Sequence, residues 1–308
     1  MFQYYLMVTF ATVLYSVQFV FTKCYQKEKG ASFFYSTIFS ALTCLFAVPF
    51  FLVLNKGRME FTWFSFWIAC LFAIDCILCA VFSAKTLSKA NLSVYSLFLM
   101  MGGMLIPFVY GVVNGDELTI FKVVAVACVL LAMVFTLQKE EGKKIDFGAA
   151  TCFVLIFLTN GLTGVLTYVH QHAMMETVSS SGFLFLCNLV QFVLSGLLVG
   201  GIYLYEKQKN PTVLGLKREQ RGFLGLALKK SWLIAIASSI GYTLVHSIAM
   251  LCTTITAKYV EAGVQFTIIT GGCMVMSALL GLLFGEKVSK KTLVSLLFAV
   301  AGTVCIMF

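Results

Sequence analysis

Charge is what this 308-residue chain has least of. Asp, Glu, Lys and Arg together make 11% of it, while 60% is apolar and the mean hydropathy is +0.95. A soluble domain carries roughly 25% charged residues, so this chain lacks the polar surface that a soluble enzyme needs. It also lacks the dense cysteine spacing of a secreted disulfide scaffold, since its 11 cysteines are scattered through apolar runs. The first residues, MFQYYLMVTFATVLYSVQFVFT, have no basic leader and no small-residue cleavage signal, so they read as a retained first span. No G-x-x-x-x-G-K-[ST] loop occurs, which excludes ATP hydrolysis by this chain. No paired acids, metal set or nucleophile with its base stands out, so the chain is not expected to be an enzyme, and no cofactor or metal is expected.

What the chain has instead is apolar runs of bilayer-crossing length. Ten spans are expected, at about residues 2–22, 31–54, 61–84, 92–113, 120–137, 148–169, 181–204, 231–251, 262–284 and 290–308. The net charge of +9 would suggest nucleic acid in a soluble protein, but here the basic residues sit in connections, and no nucleic-acid partner is expected. Connections after spans 1, 3, 5, 7 and 9 hold 18 of the 22 Lys and Arg; the other side has Lys56, Arg58, Lys122 and Lys258. By the positive-inside rule this expects a multi-pass protein of the cell membrane, with both termini outside and the 205–230 loop cytoplasmic. Within that loop, residues 217–230, KREQRGFLGLALKK, could lie along the inner leaflet or be a solvated basic loop.

The polar stretch QKEEGKKIDF divides the chain into a first five-helix repeat (1–137), a linker (138–147) and a second repeat (148–308). Gly111, Gly115 and Asp116 recur as Gly281, Gly285 and Glu286 at an offset of 170, and Gly102-Gly103 recur as Gly271-Gly272 at 169. Two such motifs, each leading into a final span, indicate an internal duplication, with Gly111, Gly115, Gly281 and Gly285 read as helix-packing positions. Five is odd, so the second repeat would insert inverted, the geometry of alternating access. The expected fold is thus an all-α membrane protein of ten transmembrane helices in two inverted five-helix repeats.

VFSAKTLSKANLSVYSLFLMMGGMLIPFVYGVVNGDELT and SIAMLCTTITAKYVEAGVQFTIITGGCMVMSALLGLLFGEKVS each run from the end of a helix, through a polar break and a helix, to Gly-acid and a final span. In this they resemble the drug/metabolite transporter superfamily, specifically its ten-helix EamA-like branch. Gly285-Glu286 matches the closing signature and Gly115-Asp116 matches it conservatively; Tyr15-Ser16 stands where the family usually has Trp-Gly. The resemblance implies a transporter of small metabolites.

Polar side chains inside a span face protein or a water-filled cavity. Asp75, near the middle of the third span, is the candidate for proton coupling, or else a protonated acid bonded to a neighbouring helix. His246, Gln18, Asn160, Asn188, Gln191, Gln265 and Tyr242 are candidates for a shared substrate cavity, and each could equally hold two helices together. Tyr15 and Tyr168 belong to the same aromatic set. Cys76-x-x-Cys79 lies within a span without companion ligands, and His170-x-His172 is read as part of an outer solvated loop. No Lys or Arg falls deep in a span, which favours a neutral or zwitterionic solute over a sugar phosphate. The function expected is gradient-driven transport of a small metabolite such as an amino acid, with a proton as the possible coupling ion. The alternatives are a flippase for a lipid-linked substrate, and a non-transporting receptor or intramembrane enzyme.

Overall fold

The structure, a computed structural model, describes residues 2–30, 32–87, 92–137, 147–209, 230–283 and 290–305. They form ten α-helices: α1 (Phe2–Lys29), α2 (Phe33–Leu54), α3 (Trp63–Leu87), α4 (Leu92–Val113), α5 (Ile120–Leu137), α6 (Phe147–Gln171), α7 (Ser180–Lys209), α8 (Lys230–Thr256), α9 (Ala262–Leu283) and α10 (Lys290–Cys305). No strand occurs among the described residues. Six helices, α1, α2, α3, α6, α7 and α8, are long and apolar enough to cross a bilayer. The chain is a membrane protein.

Several helices outrun their expected ends, α1 and α8 for reasons the structure shows. α1 continues through Lys23, Lys27 and Lys29, because cations suit a helix C-terminus and Lys29 Nζ rests 3.7 Å from the centre of the Trp232 ring. α8 continues to Thr256 through a run of threonines that hydropathy reads as a break. The hydroxyls of Thr253, Thr254 and Thr256 bond back to the carbonyls of Ala249, Met250 and Cys252, so their polarity is satisfied within the helix.

The helices pair in a pattern that repeats. α1 packs on α8 and α3 on α6; α4 packs on α6 and α9 on α1; α3 packs on α7 and α2 on α8. The remaining close pairs are α2 with α7, α4 with α9 and α5 with α10. Exchanging each helix for the one five places along converts the first three contacts into their partners and returns the last three to themselves.

Glycines set the closest approaches. A Cβ on Gly102 would overlap the carbonyl of Phe157, and one on Gly161 would come within 2.5 Å of both Gly102 O and Ile106 Cβ, so α4 and α6 touch backbone to backbone. On the counterpart contact of α9 with α1, a Cβ on Gly272 would run into Thr12 Cγ2.

Gly111 and Gly115 are not a helix-packing pair. Gly115 has φ +105° and meets nothing within 4 Å, while the group lying over Gly111 is the carboxylate of Asp116. Asp116 N donates to Gly111 O at 2.9 Å and Gly115 N to Val112 O at 3.2 Å, a Schellman stop that ends α4. The motif stops a helix because only glycine takes the left-handed turn freely and leaves room for the folded-back acid. Gly115→Val should therefore cost about 1–2 kcal/mol, read as a lowered midpoint of thermal unfolding in detergent. Gly281 lies in α9, whereas Gly285 and Glu286 are outside the described residues.

The connections after α2, α4, α6 and α8 meet at one end of the bundle. Ser179 N donates to Glu60 Oε2 at 2.6 Å, and Ser179 and Ser181 hydroxyls donate to Asn55 Oδ1. Lys122 Nζ pairs with Glu261 Oε2 at 2.9 Å, and Tyr259 stacks on Tyr4 at 4.1 Å between ring centres. This is the end that carries Lys56, Arg58, Lys122 and Lys258.

Candidate functional site

Asp75 sits at the middle of α3, 3% exposed, where α3 crosses α6. Its Oδ2 lies 2.8 Å from Thr163 Oγ1, and the same hydroxyl lies 3.1 Å from Thr159 O. Thr163 has one proton for these two acceptors. An ionised Asp75 therefore leaves one contact without a hydrogen. A protonated Asp75 satisfies both, donating to Thr163 Oγ1 while Thr163 donates to Thr159 O. The geometry fits a neutral carboxylic acid in a site that can also accept the ion at the loss of one bond.

Where α8 crosses α1, His246 Nδ1 lies 2.6 Å from Gln18 Oε1. An amide oxygen only accepts, so Nδ1 carries the hydrogen and donates. Nε2 then holds a lone pair, and no protein partner meets it among the described residues. Tyr242 stacks against His246 at 5.1 Å, Tyr15 meets it edge-on at 5.8 Å, and Phe39 of α2 meets Tyr242 at 5.0 Å. Tyr15 OH is 3.3 Å from Thr253 Oγ1.

His246 and Tyr15 are half-buried, as are Cys76 and Cys79 of α3.

The remaining candidates divide. Gln191 Nε2 donates to Ser40 Oγ at 3.2 Å, joining α7 to α2, and Ser40 Oγ lies 3.3 Å from Ser195 Oγ. Gln265 Nε2 donates to Thr253 O at 2.7 Å, while its Oε1 is buried without a partner. Asn160 Nδ2 donates to Leu99 O at 2.7 Å and clamps α6 to α4. Asn188 bonds within its own helix, to Leu184 O at 2.8 Å. The structure thus brings Gln18, Tyr242 and His246 together, sets Asp75 on a separate contact, and uses Asn160 and Asn188 for helix structure. Thr163, Phe39, Ser40 and Thr253 are additions to the candidate set.

His170 is not part of a solvated loop. α6 runs through it, and it is 1% exposed, stacked 3.8 Å from Phe183. Its Nε2 lies 2.9 Å from Ser65 Oγ and its Nδ1 3.0 Å from Gln171 Nε2. The aromatic neighbours and paired nitrogens make the ring apolar enough to bury. His172, in contrast, is exposed and stacks on Tyr168 at 3.9 Å. Among the described residues no three His, Cys, Asp or Glu could hold a metal ion.

At the cation-poor end Lys122 is buried on α5, where its Nζ also donates to Glu117 O at 2.8 Å. Partial burial, and then Glu261, push the Asp116 carboxyl above its ordinary range, while Lys122 and His172 pull it down. This network ties the first five helices to the second five. Residues 138–146, the 210–229 stretch with most of the basic segment, and Lys89 lie outside the described residues.

No family model matches the chain, and no curated protein matches it. Among solved structures 27 chains match. One, described only as "Crystal structure of protein", superposes with a TM-score of 0.68 over 98% of this chain and 96% of its own length, at 16% identity. At that identity the likeness carries the fold alone.

Proposed function

We propose that the protein is a gradient-driven transporter of a small neutral or zwitterionic solute, working by alternating access. In this reading all ten helices span the cell membrane, as two inverted five-helix repeats with both termini outside. One observation carries it: the helix contacts map onto themselves when each helix is exchanged for the one five places along. Two such halves have two equivalent ways to lean on each other, one open to each side, which is the mechanical requirement for carrying a solute past a central site. The sequence resemblance to EamA-like transporters points the same way. The cluster of Tyr15, Gln18, Tyr242 and His246 where α1 meets α8 supplies hydrogen-bonding groups and ring faces but no fixed charge, which suits an uncharged or internally balanced solute.

The test is a thermal-shift screen of purified protein against amino acids, aromatic metabolites and sugar phosphates, followed by counterflow in proteoliposomes with the hits. Stabilisation and counterflow by a zwitterion are expected. A response confined to sugar phosphates would overturn the solute class; lipid reorientation without solute counterflow would replace the reading with a flippase.

A further inference from the structure

The main contacts of α1 are with α8 and α9, and those of α6 are with α3 and α4, so the first helix of each set of five lies against the other set. α1 is held to α8 along its whole length. Lys29 covers the Trp232 ring at one end, a Cβ on Gly241 would run into the Phe21 ring, Gln18 meets His246 and Tyr15 meets Thr253, and Tyr4 stacks on Tyr259 at the other end. α9 locks onto α1 where Gly272 lies under Thr12 and Cys273 Sγ donates to Thr12 O at 3.5 Å. α2 joins this group, since Thr243 Oγ1 of α8 donates to Thr43 O at 3.1 Å.

α6 is held in the same manner to α4, backbone on backbone at Gly102 and Gly161, and to α3, where Thr163 meets Asp75 and His170 meets Ser65. α7 joins this second group. Phe183 meets Phe72 of α3 at 6.2 Å between ring centres, and Val178 N, just before α7, donates to Ser65 Oγ at 3.2 Å.

Two main contacts join the groups, α2 with α7 and α4 with α9, and the five-helix exchange returns both to themselves. They are of a different kind. Between α2 and α7, Ser40 Oγ lies 3.3 Å from Ser195 Oγ and accepts from Gln191 Nε2; between α4 and α9, the Thr270 methyl and the Phe108 ring lie over bare Gly103 and Gly263. Side chains that meet side chains, or rest on a glycine surface, re-form their contacts after a small slide, whereas bonds to main-chain oxygens and backbone overlap hold two helices in one register.

We infer that the bodies that rock are not the first five helices against the second five, but α1, α2, α8 and α9 against α3, α4, α6 and α7, meeting along the α2–α7 and α4–α9 seams. Helices one and two of each set travel with helices three and four of the other. This rests on the alternating-access reading and names its moving parts. The chain crosses between the bodies in the α2–α3 connection, at whose start Asn55 Oδ1 accepts from the Ser179 and Ser181 hydroxyls across the α2–α7 seam. Those bonds part when that end opens.

Two spin-label pairs separate these bodies from the sequence halves without a known solute. Labels are attached to encoded p-acetylphenylalanine, so that the native cysteines stay unlabelled, at exposed positions of the full-length protein. Distances are read by double electron–electron resonance in nanodiscs and in detergent, at acid and at neutral pH. Phe10 and Leu233 lie in different halves but in one body; Leu6 and Val113 lie in one half but in different bodies. A single narrow distance is expected for the first pair throughout, and for the second a population displaced by about 5 Å or more, on the order of one helical turn. The reverse result, or two pairs that both move or both hold still, would overturn the inference. Counterflow in a protein whose Phe10–Leu233 distance moves would sink the mixed bodies and leave the transporter standing. A moving Leu6–Val113 distance beside a fixed Phe10–Leu233 distance, in a protein that carries no solute, would do the reverse.

Discussion

Gly161→Leu is expected to separate α4 from α6 and to lower stability by about 3 kcal/mol, the upper part of the usual range for overpacking. The added side chain meets the Gly102 carbonyl and the Ile106 Cβ, and neither can rotate away, because one is backbone and the other is fixed to it. Asn160, one residue before, loses its hold on Leu99 O as the helices part. Gly200→Ala on α7 is the matched control: nothing lies within 4 Å of its Cβ, so that change should be nearly neutral. Thermal unfolding of the two variants in the same detergent decides the point. Equal midpoints would mean that the α4–α6 approach does not depend on a bare backbone.

Asp75→Asn should keep the fold and lose coupling. The asparagine amide donates to Thr163 Oγ1 as the protonated acid does, and Thr163 still donates to Thr159 O, so the clasp survives. What is gone is the ability to release a proton. Solute accumulation driven by an imposed pH gradient should fall by about tenfold or more, while counterflow at equal pH on both sides persists. Asp75→Glu should retain part of the gradient-driven uptake. Undiminished accumulation in Asp75→Asn would remove the carboxyl from the coupling step.

Each of the ten expected apolar runs overlaps one helix, and six of those helices are long and apolar enough to cross a bilayer, because a segment that must satisfy its own backbone in lipid declares itself by composition. Helix ends were less legible. Hydropathy treats the threonines of α8 and the lysines of α1 as breaks, although hydroxyls bonded to the preceding turn and cations at a C-terminus both prolong a helix. Gly111 and Gly115 were visible as a motif but not as a stop, since the spacing of a packing pair and of a Schellman turn is the same. His170 was misplaced because its protection comes from Ser65 and Phe183, which are distant in the chain. Thr163 left no signal at all: a threonine in a membrane helix usually bonds its own carbonyl, and nothing local distinguishes the one that faces an acid.

Composition and periodicity by themselves determined that the chain is helical, that it belongs in a membrane and which few polar residues lie at depth. Those properties depend on each residue and its near neighbours. Which of these residues meet was decided only by the tertiary structure: Gln18 with His246, Asp75 with Thr163, Lys122 with Glu261. Those partners come from helices far apart in sequence, and they are set by close backbone contacts such as Gly102 on Gly161.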